Sequence, residues 1–203
     1  ESRGLGDVYK RQILIDTDAI FSIALKESNS VLMMSVKNNV DNILPSTTQI
    51  IEKGEIRQWV YEFGGIVAPT QKLSTTAKGL GVNVTSPEPD AVVRKMPMII
   101  SINGKLYPSM ILENLRLLYN SNRIKVVADQ NGIKDILVKK DVGIPTNHNA
   151  EMYINYAEPE KYIQMSASEI FSGDFNENKI KGRIVVIGMD AAGLSFLKYT
   201  PHG

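Results

Sequence analysis

The chain has 203 residues, 43% of them hydrophobic and 22% charged, a composition that supports a packed core and excludes a chain disordered throughout. Its 23 Lys and Arg against 22 Asp and Glu leave a net charge of +1, so no global field draws it to nucleic acid. With no cysteine and two histidines, His148 and His202, disulfides, thiolate metal sites, cysteine nucleophiles and histidine-rich metal centres are excluded.

Residues 1–12 carry charge and no apolar stretch of the kind a signal peptide needs, and they resemble a translated adapter. They are set aside as non-native or disordered. One domain is expected over 13–203, cut at its C-terminus. The run Ile13-Leu14-Ile15 predicts a buried strand. Asp18 stands where it would cap a helix over 19–26, with Ile20, Phe21, Ala24 and Leu25 on one face. The apolar run 30–36 lacks polar alternation and predicts a strand covered on both faces. Within 46–63, Ile56, Trp59, Val60 and Phe63 fall at helical spacing, which predicts a partly helical stretch stopped by Gly64-Gly65.

A second helix is expected over 71–78, then a strand at Val82-Asn83-Val84 and a turn through Asp90. Asn103-Gly104 between two apolar runs predicts a type I′ hairpin over 98–106. Pro108 opens a helix over 109–119 whose apolar face is Ile111, Leu112, Leu115 and Leu118. Strands are expected at 124–128, 133–138 and 152–156, and a short helix capped by Ser166 or Ser168 ends at Gly173. The apolar run 183–187 predicts a last buried strand, followed by Gly188 and Gly193. Helices interleaved with strands and hairpins make this an α/β chain, a single domain with a mixed sheet flanked by helices.

Few constellations carry chemistry. The loop from Gly188 to Gly193 follows a strand as a phosphate-binding loop would, but it matches neither G-x-G-x-x-G nor G-x-x-x-x-G-K-[ST] and holds the acidic Asp190. A tight strand-to-loop turn is the simpler reading of these glycines. Asp16, Asp18, Asp90, Asp129 and Asp190 form no D-x-D-x-D-G cation loop. Asp129 reads as a turn residue and His148 as part of a solvated loop. Ser109 has no His or Lys base near it in sequence, which argues against a nucleophile. Asp90 and Arg94, four residues apart, are spaced to pair and to organise their turn.

Several segments together resemble one family. Asp90-Ala91-Val92-Val93-Arg94-Lys95-Met96-Pro97 resembles D-G-V-V-R-R-x-P, and Tyr107-Pro108-Ser109-Met110-Ile111-Leu112 resembles Y-P-S-L-A-L. Ile144-Pro145-Thr146 with Met152-Tyr153-Ile154-Asn155-Tyr156 resembles I-P-T…G-x-M-x-I-N-Y, and 166–173 resembles S-x-x-D-V-L-x-G. Lys181-Gly182-Arg183-Ile184-Val185-Val186-Ile187-Gly188, then Gly193-Leu194 and Thr200-Pro201, resembles K-G-K-I-V-L-I-G…G-L-x-D-x-x-x-T-P. In this order they resemble the type-two CHASE domain, the cyclase/histidine-kinase-associated sensory extracellular domain, over residues 13–203. Ala91 and Ala150 stand where that family has glycine, so their turns must avoid positive φ or bear strain. Phe196 replaces a family Asp.

The resemblance implies a non-catalytic sensory input domain outside the cytoplasmic membrane, without metal or cofactor. Its expected partners are an unknown small-molecule or protein stimulus, flanking membrane helices and a cytoplasmic output domain in the full-length protein, and a second copy in a homodimer, with no nucleic acid. Output by a nucleotide cyclase, a histidine or Ser/Thr kinase, or a diguanylate cyclase is implied. The candidate ligand or motif residues are Asp16, Asp90, Arg94, Tyr107, Ser109, Asn155, Tyr156, Gly188, Gly193 and Thr200. The competing reading is a soluble α/β nucleotide-binding enzyme that uses the Gly188 to Gly193 loop.

Overall fold

The computed structural model describes residues 16–37, 48–86, 88–158, 161–189 and 199–201; the strand expected at 13–15 lies outside them. The chain is α/β, with mixed sheets flanked by a few helices. Its contacts gather into two compact units, Glu1–Ser86 with Lys95–Met152, and Pro87–Arg94 with Tyr153–Gly203.

The first unit opens with α1 (Thr17–Glu27). Asp16, not Asp18, caps it: the helix begins two residues earlier than expected, and Asp16 Oδ1 accepts the Ala19 N–H at 2.9 Å. Asp18 lies in the first turn, where it accepts from the Thr70 hydroxyl at 3.3 Å. Of the expected apolar face, only Leu25 is buried. Strand β1 (Val31–Val36) runs parallel to β5 (Gly79–Asn83) and antiparallel to β4 (Ile66–Val67). It is not covered on both faces. Met34 is buried, but Met33 is 49% exposed and Ser35 is open too.

The stretch 46–63 is not helical in its described part. It gives β2 (Gln49–Lys53), a turn, and β3 (Glu62–Phe63). The β-branched Ile50-Ile51 pair suits a ladder beside β9 (Arg123–Asp129). Gly54 then turns the chain at φ +88, where a Cβ would strike the Ala128 carbonyl. A turn closed by the Trp59 N–H on the Ile56 carbonyl at 3.0 Å reproduces helical spacing without a helix, and Ile56 and Val60 still reach the core. Helix α2 (Gln71–Ser74) is half the expected length, because Lys78 leads straight into β5, whose Gly79 N–H bonds the Ser30 carbonyl.

The hairpin forms as expected between β7 (Ile99–Ile102) and β8 (Lys105–Pro108), after β6 (Lys95–Pro97); Asn103 and Gly104 both adopt positive φ. Helix α3 (Met110–Leu118) follows, its N-terminus capped by the Ser109 hydroxyl, which accepts the Leu112 N–H at 3.2 Å. Gly81 of β5 lies under this terminus; a Cβ there would sit 2.7 Å from Met110 N. The buried face of α3 is Leu112 with Glu113 and Arg116, while Ile111 and Leu118 are exposed. Strand β9 then pairs with β10 (Gly132–Lys139), and β10 with β11 (Val142–Ile144); β12 (Glu151–Tyr153) pairs with β6. Two apolar clusters result. One centres on Met98, Ile99, Leu112, Ile124, Val126 and Ile136, the other on Met34, Ile66, Leu80, Val82, Ile100 and Tyr107.

In the second unit Val93 is the one buried hydrophobic residue among those described. Helix α4 (Ala167–Ser172) has a complete capping box, Ser166 with Glu169, and ends at Gly173 with φ +75. The strand expected at 183–187 is absent from the described residues, and its side chains are open to solvent, Ile187 at 94%. A continuous apolar run signals a buried strand only where a neighbour supplies the ladder, and none of the described strands pairs with it.

Candidate functional site

Three of the motif segments meet in the second unit, around Asp90 to Arg94. Arg94 grips Asp90 bidentately, Nη1 to Oδ1 at 3.0 Å and Nη2 to Oδ2 at 2.7 Å. Asp90 Oδ1 also accepts the Val92 N–H at 3.1 Å, closing the turn on itself. The Arg94 guanidinium, with the Val92 amide, holds the Asp90 carboxyl down to about 2. Ala91, between them, adopts φ 59, so the residue at the family's glycine position bears the strain rather than avoiding it.

Onto this turn come the other two segments. The Tyr156 hydroxyl donates to the Val93 carbonyl at 2.9 Å, and the Ile154 N–H bonds the Arg94 carbonyl at 2.9 Å. From the far end of the chain, Tyr199 bridges Val92 in parallel and its carbonyl accepts the Val93 N–H at 2.8 Å; Thr200 is the next residue, half-buried. Asp90, Arg94, Tyr156 and Thr200 are therefore near neighbours along one short stretch of backbone. Asn155, beside Tyr156, points into solvent.

The remaining candidates lie elsewhere. Asp16 caps α1 and ion-pairs with Lys72, which together with the Ala19 amide lowers its pKa. Tyr107 is a core residue whose burial raises its phenol. Ser109 is a buried helix cap. Gly188 sits in an exposed segment without regular structure, where a Cβ would meet nothing within 4 Å, and the rest of the turn expected to begin there lies outside the described residues. Gly193, like Asp190 and Phe196, lies outside the described residues. Asp129 closes its turn through the Asn131 N–H at 2.8 Å, and His148 is exposed.

Two buried polar centres in the first unit escaped the sequence reading. Glu151 accepts from Tyr61 Oη at 2.9 Å and Asn147 Nδ2 at 2.6 Å, with Lys95 Nζ at 3.3 Å. Burial pushes its carboxyl up, but the Ser86, Asn147 and Tyr61 groups and the Lys95 ammonium outweigh this and leave it lowered. Glu113 is fully buried on α3. It accepts from the Thr48 hydroxyl and, at 2.5 Å, from Arg116 Nε. Burial dominates and raises the Glu113 pKa. Arg116 also donates to the Ser121 carbonyl at 2.7 Å and the Lys78 carbonyl at 2.9 Å. The spacing 109, 112, 113 and 116 on one helix face held the signal for this pair; Thr48, from another element, had none.

Thr48 also lines an open cleft of about 270 Å³ between β2 and the β7–β8 hairpin, with Ile50, Glu52, Arg57, Gly104, Lys105 and Leu106. No group of three or more His, Asp or Glu residues among those described could hold a metal ion. The described carboxylates above are spent on caps, turns and ion pairs, with no nucleophile beside a base.

Compared with known families, the chain matches the CHASE2 domain model over residues 4–203. The chain belongs to the CHASE2 family. CHASE2 domains are sensory and extracellular rather than catalytic, so the role is sensory and fits a place outside the cytoplasm. No curated protein and no solved structure matches it. Among the described residues no helix is long and apolar enough to cross a membrane.

Proposed function

We propose that this CHASE2 domain is the extracytoplasmic input of a membrane-bound signal transducer, whose output is a nucleotide cyclase, a diguanylate cyclase, or a histidine or Ser/Thr kinase. The CHASE2 match over residues 4–203 carries the reading. The meeting of Val92, Val93 and Tyr199 supports it: a backbone link ties the last described residues to the Asp90 turn, so a change at one is felt at the other. Sequencing the flanking DNA tests this. Apolar stretches of roughly 20 residues are expected before residue 13 and after residue 203, with Lys and Arg enriched on the side opposite the domain. Stop codons on both flanks without such stretches would refute it. The nucleotide-binding alternative draws no support from Gly188, and calorimetric titration with ATP and NAD should show no binding; micromolar binding lost in Gly188→Val would revive it.

A further inference from the structure

We propose that the Glu151 carboxylate is a clamp on the three joints through which the chain passes between its two units, so that the joints open together or not at all. The clamp itself does not depend on the sensory reading above; its use as the route of a signal does.

The joints fall between residues 86 and 87, 94 and 95, and 152 and 153. Ser86, Lys95 and Glu151 each lie within two residues of one of them, and the three are bound to one another inside the first unit. The Ser86 N–H donates to the Lys95 carbonyl at 3.3 Å, and Lys95 Nζ ion-pairs with Glu151 Oε2 at 3.3 Å. Strands β12 and β6, which carry Glu151 and Lys95, are paired as well. The buried Ser86 hydroxyl makes no full hydrogen bond, yet it stands near enough to help hold the same charge.

The carboxylate is anchored on its other side. Tyr61 Oη donates to Glu151 Oε1 at 2.9 Å, and the Tyr61 carbonyl is itself held by the Ser101 N–H of β7 at 2.8 Å. Asn147 Nδ2 donates to Oε2 at 2.6 Å, while Asn147 Oδ1 accepts the Glu151 N–H at 2.9 Å. Glu151 is 3% exposed, so each bond is stronger than in water and each missing partner costs more. A buried charge shared by donors from several segments is satisfied only when all of them are in place, which makes the loss of one felt by the rest. The joints are the covalent links between the units. Any displacement the chain hands from one unit to the other passes through them, and the clamp sends it on as a single movement.

The test is amide hydrogen exchange of the ¹⁵N-labelled chain, read by NMR in the wild type, Tyr61→Phe and Glu151→Gln. The reporters are the N–H groups of Ser86, Glu151 and Ile154, the last bonded to the Arg94 carbonyl at 2.9 Å just beyond the joints. In the wild type the three should share one protection factor and one urea dependence, both lower than those of Leu80 and Val126 in the core strands. Tyr61→Phe removes one bond to the buried charge and should speed all three by a common factor of about ten, and Glu151→Gln by more. Should Glu151→Gln fail to fold, Tyr61→Phe decides alone. Separate protection factors in the wild type, or protection equal to that of Leu80 and Val126, overturns the clamp. So does acceleration in Tyr61→Phe that is absent, confined to Glu151, or more than about threefold apart between Ser86 and Ile154. Flanking DNA without membrane spans alongside a common factor would sink the sensory reading and leave the clamp standing.

Discussion

Replacing Ala91 by glycine should stabilise the domain. Ala91 sits at φ 59, and a residue with a Cβ in the left-handed region bears about 1–2 kcal/mol. Glycine removes that strain but loosens the unfolded chain by about 0.4–1 kcal/mol. Ala91 is exposed, so its methyl contributes no packing, and the balance is a gain of about 0.5–1 kcal/mol. Ala150 is the internal control. It has the same φ, 60, but is fully buried in the larger apolar cluster. Deleting its methyl forfeits about 0.8 kcal/mol of burial, which cancels the relief. Thermal melts followed by circular dichroism read the difference, since 1 kcal/mol moves the midpoint of a chain this size by about 2–4 °C. Ala91→Gly should raise the midpoint by about 1–4 °C, and Ala150→Gly should leave it nearly unchanged. A fall on Ala91→Gly, or a larger rise at Ala150 than at Ala91, would refute the strain argument.

Asp90, held at about 2 when folded against 3.8 when free, is a depressed carboxyl; its stabilisation is complete above its unfolded pKa and is lost as pH falls toward 2. Acid titration of the fold should therefore show a component between those values that Asp90→Asn lacks, and superposable curves would count against the pair. Arg116→Ala leaves Glu113 buried without its cation and should cost about 3–5 kcal/mol in urea denaturation. The joint Glu113→Leu, Arg116→Met variant should recover most of that loss. A single-variant cost below about 1 kcal/mol would mean that the pair does not hold α3 in place.

What could be read from the sequence was what is encoded locally. Asn103-Gly104 demanded a turn that few other dipeptides enter, and the hairpin is there. Pro108 marked the start of α3, whose cap is Ser109, and Ser166 marked that of α4, because a helix-start signal works within a turn of itself. Asp90 and Arg94 were found for the same reason, lying on one turn. The failures share a cause as well. Ile56, Trp59 and Val60 keep helical spacing inside a non-helical turn because their burial is decided by the core they meet. The run 183–187 was given a strand on composition, and composition does not supply a neighbour. Thr48 and Glu113, brought together from two distant elements, were invisible to any local rule, and so was the cleft that Thr48 lines.

The way the first unit's sheets are joined also bears on how it is made. Each of its three larger sheets contains one parallel pair, β1 with β5, β2 with β9, and β3 with β7, and parallel neighbours cannot be linked by a tight turn. The β7–β8 and β9–β10 hairpins can close within microseconds of emerging, whereas β2 must wait for β9, far along the chain. Loop closure of this kind slows folding and leaves strand edges open meanwhile. During synthesis, β2 with its Ile50-Ile51 pair is thus the segment most exposed to wrong partners, and a chain stopped before residue 123 would have every residue of the β2 strand and no native place to put it.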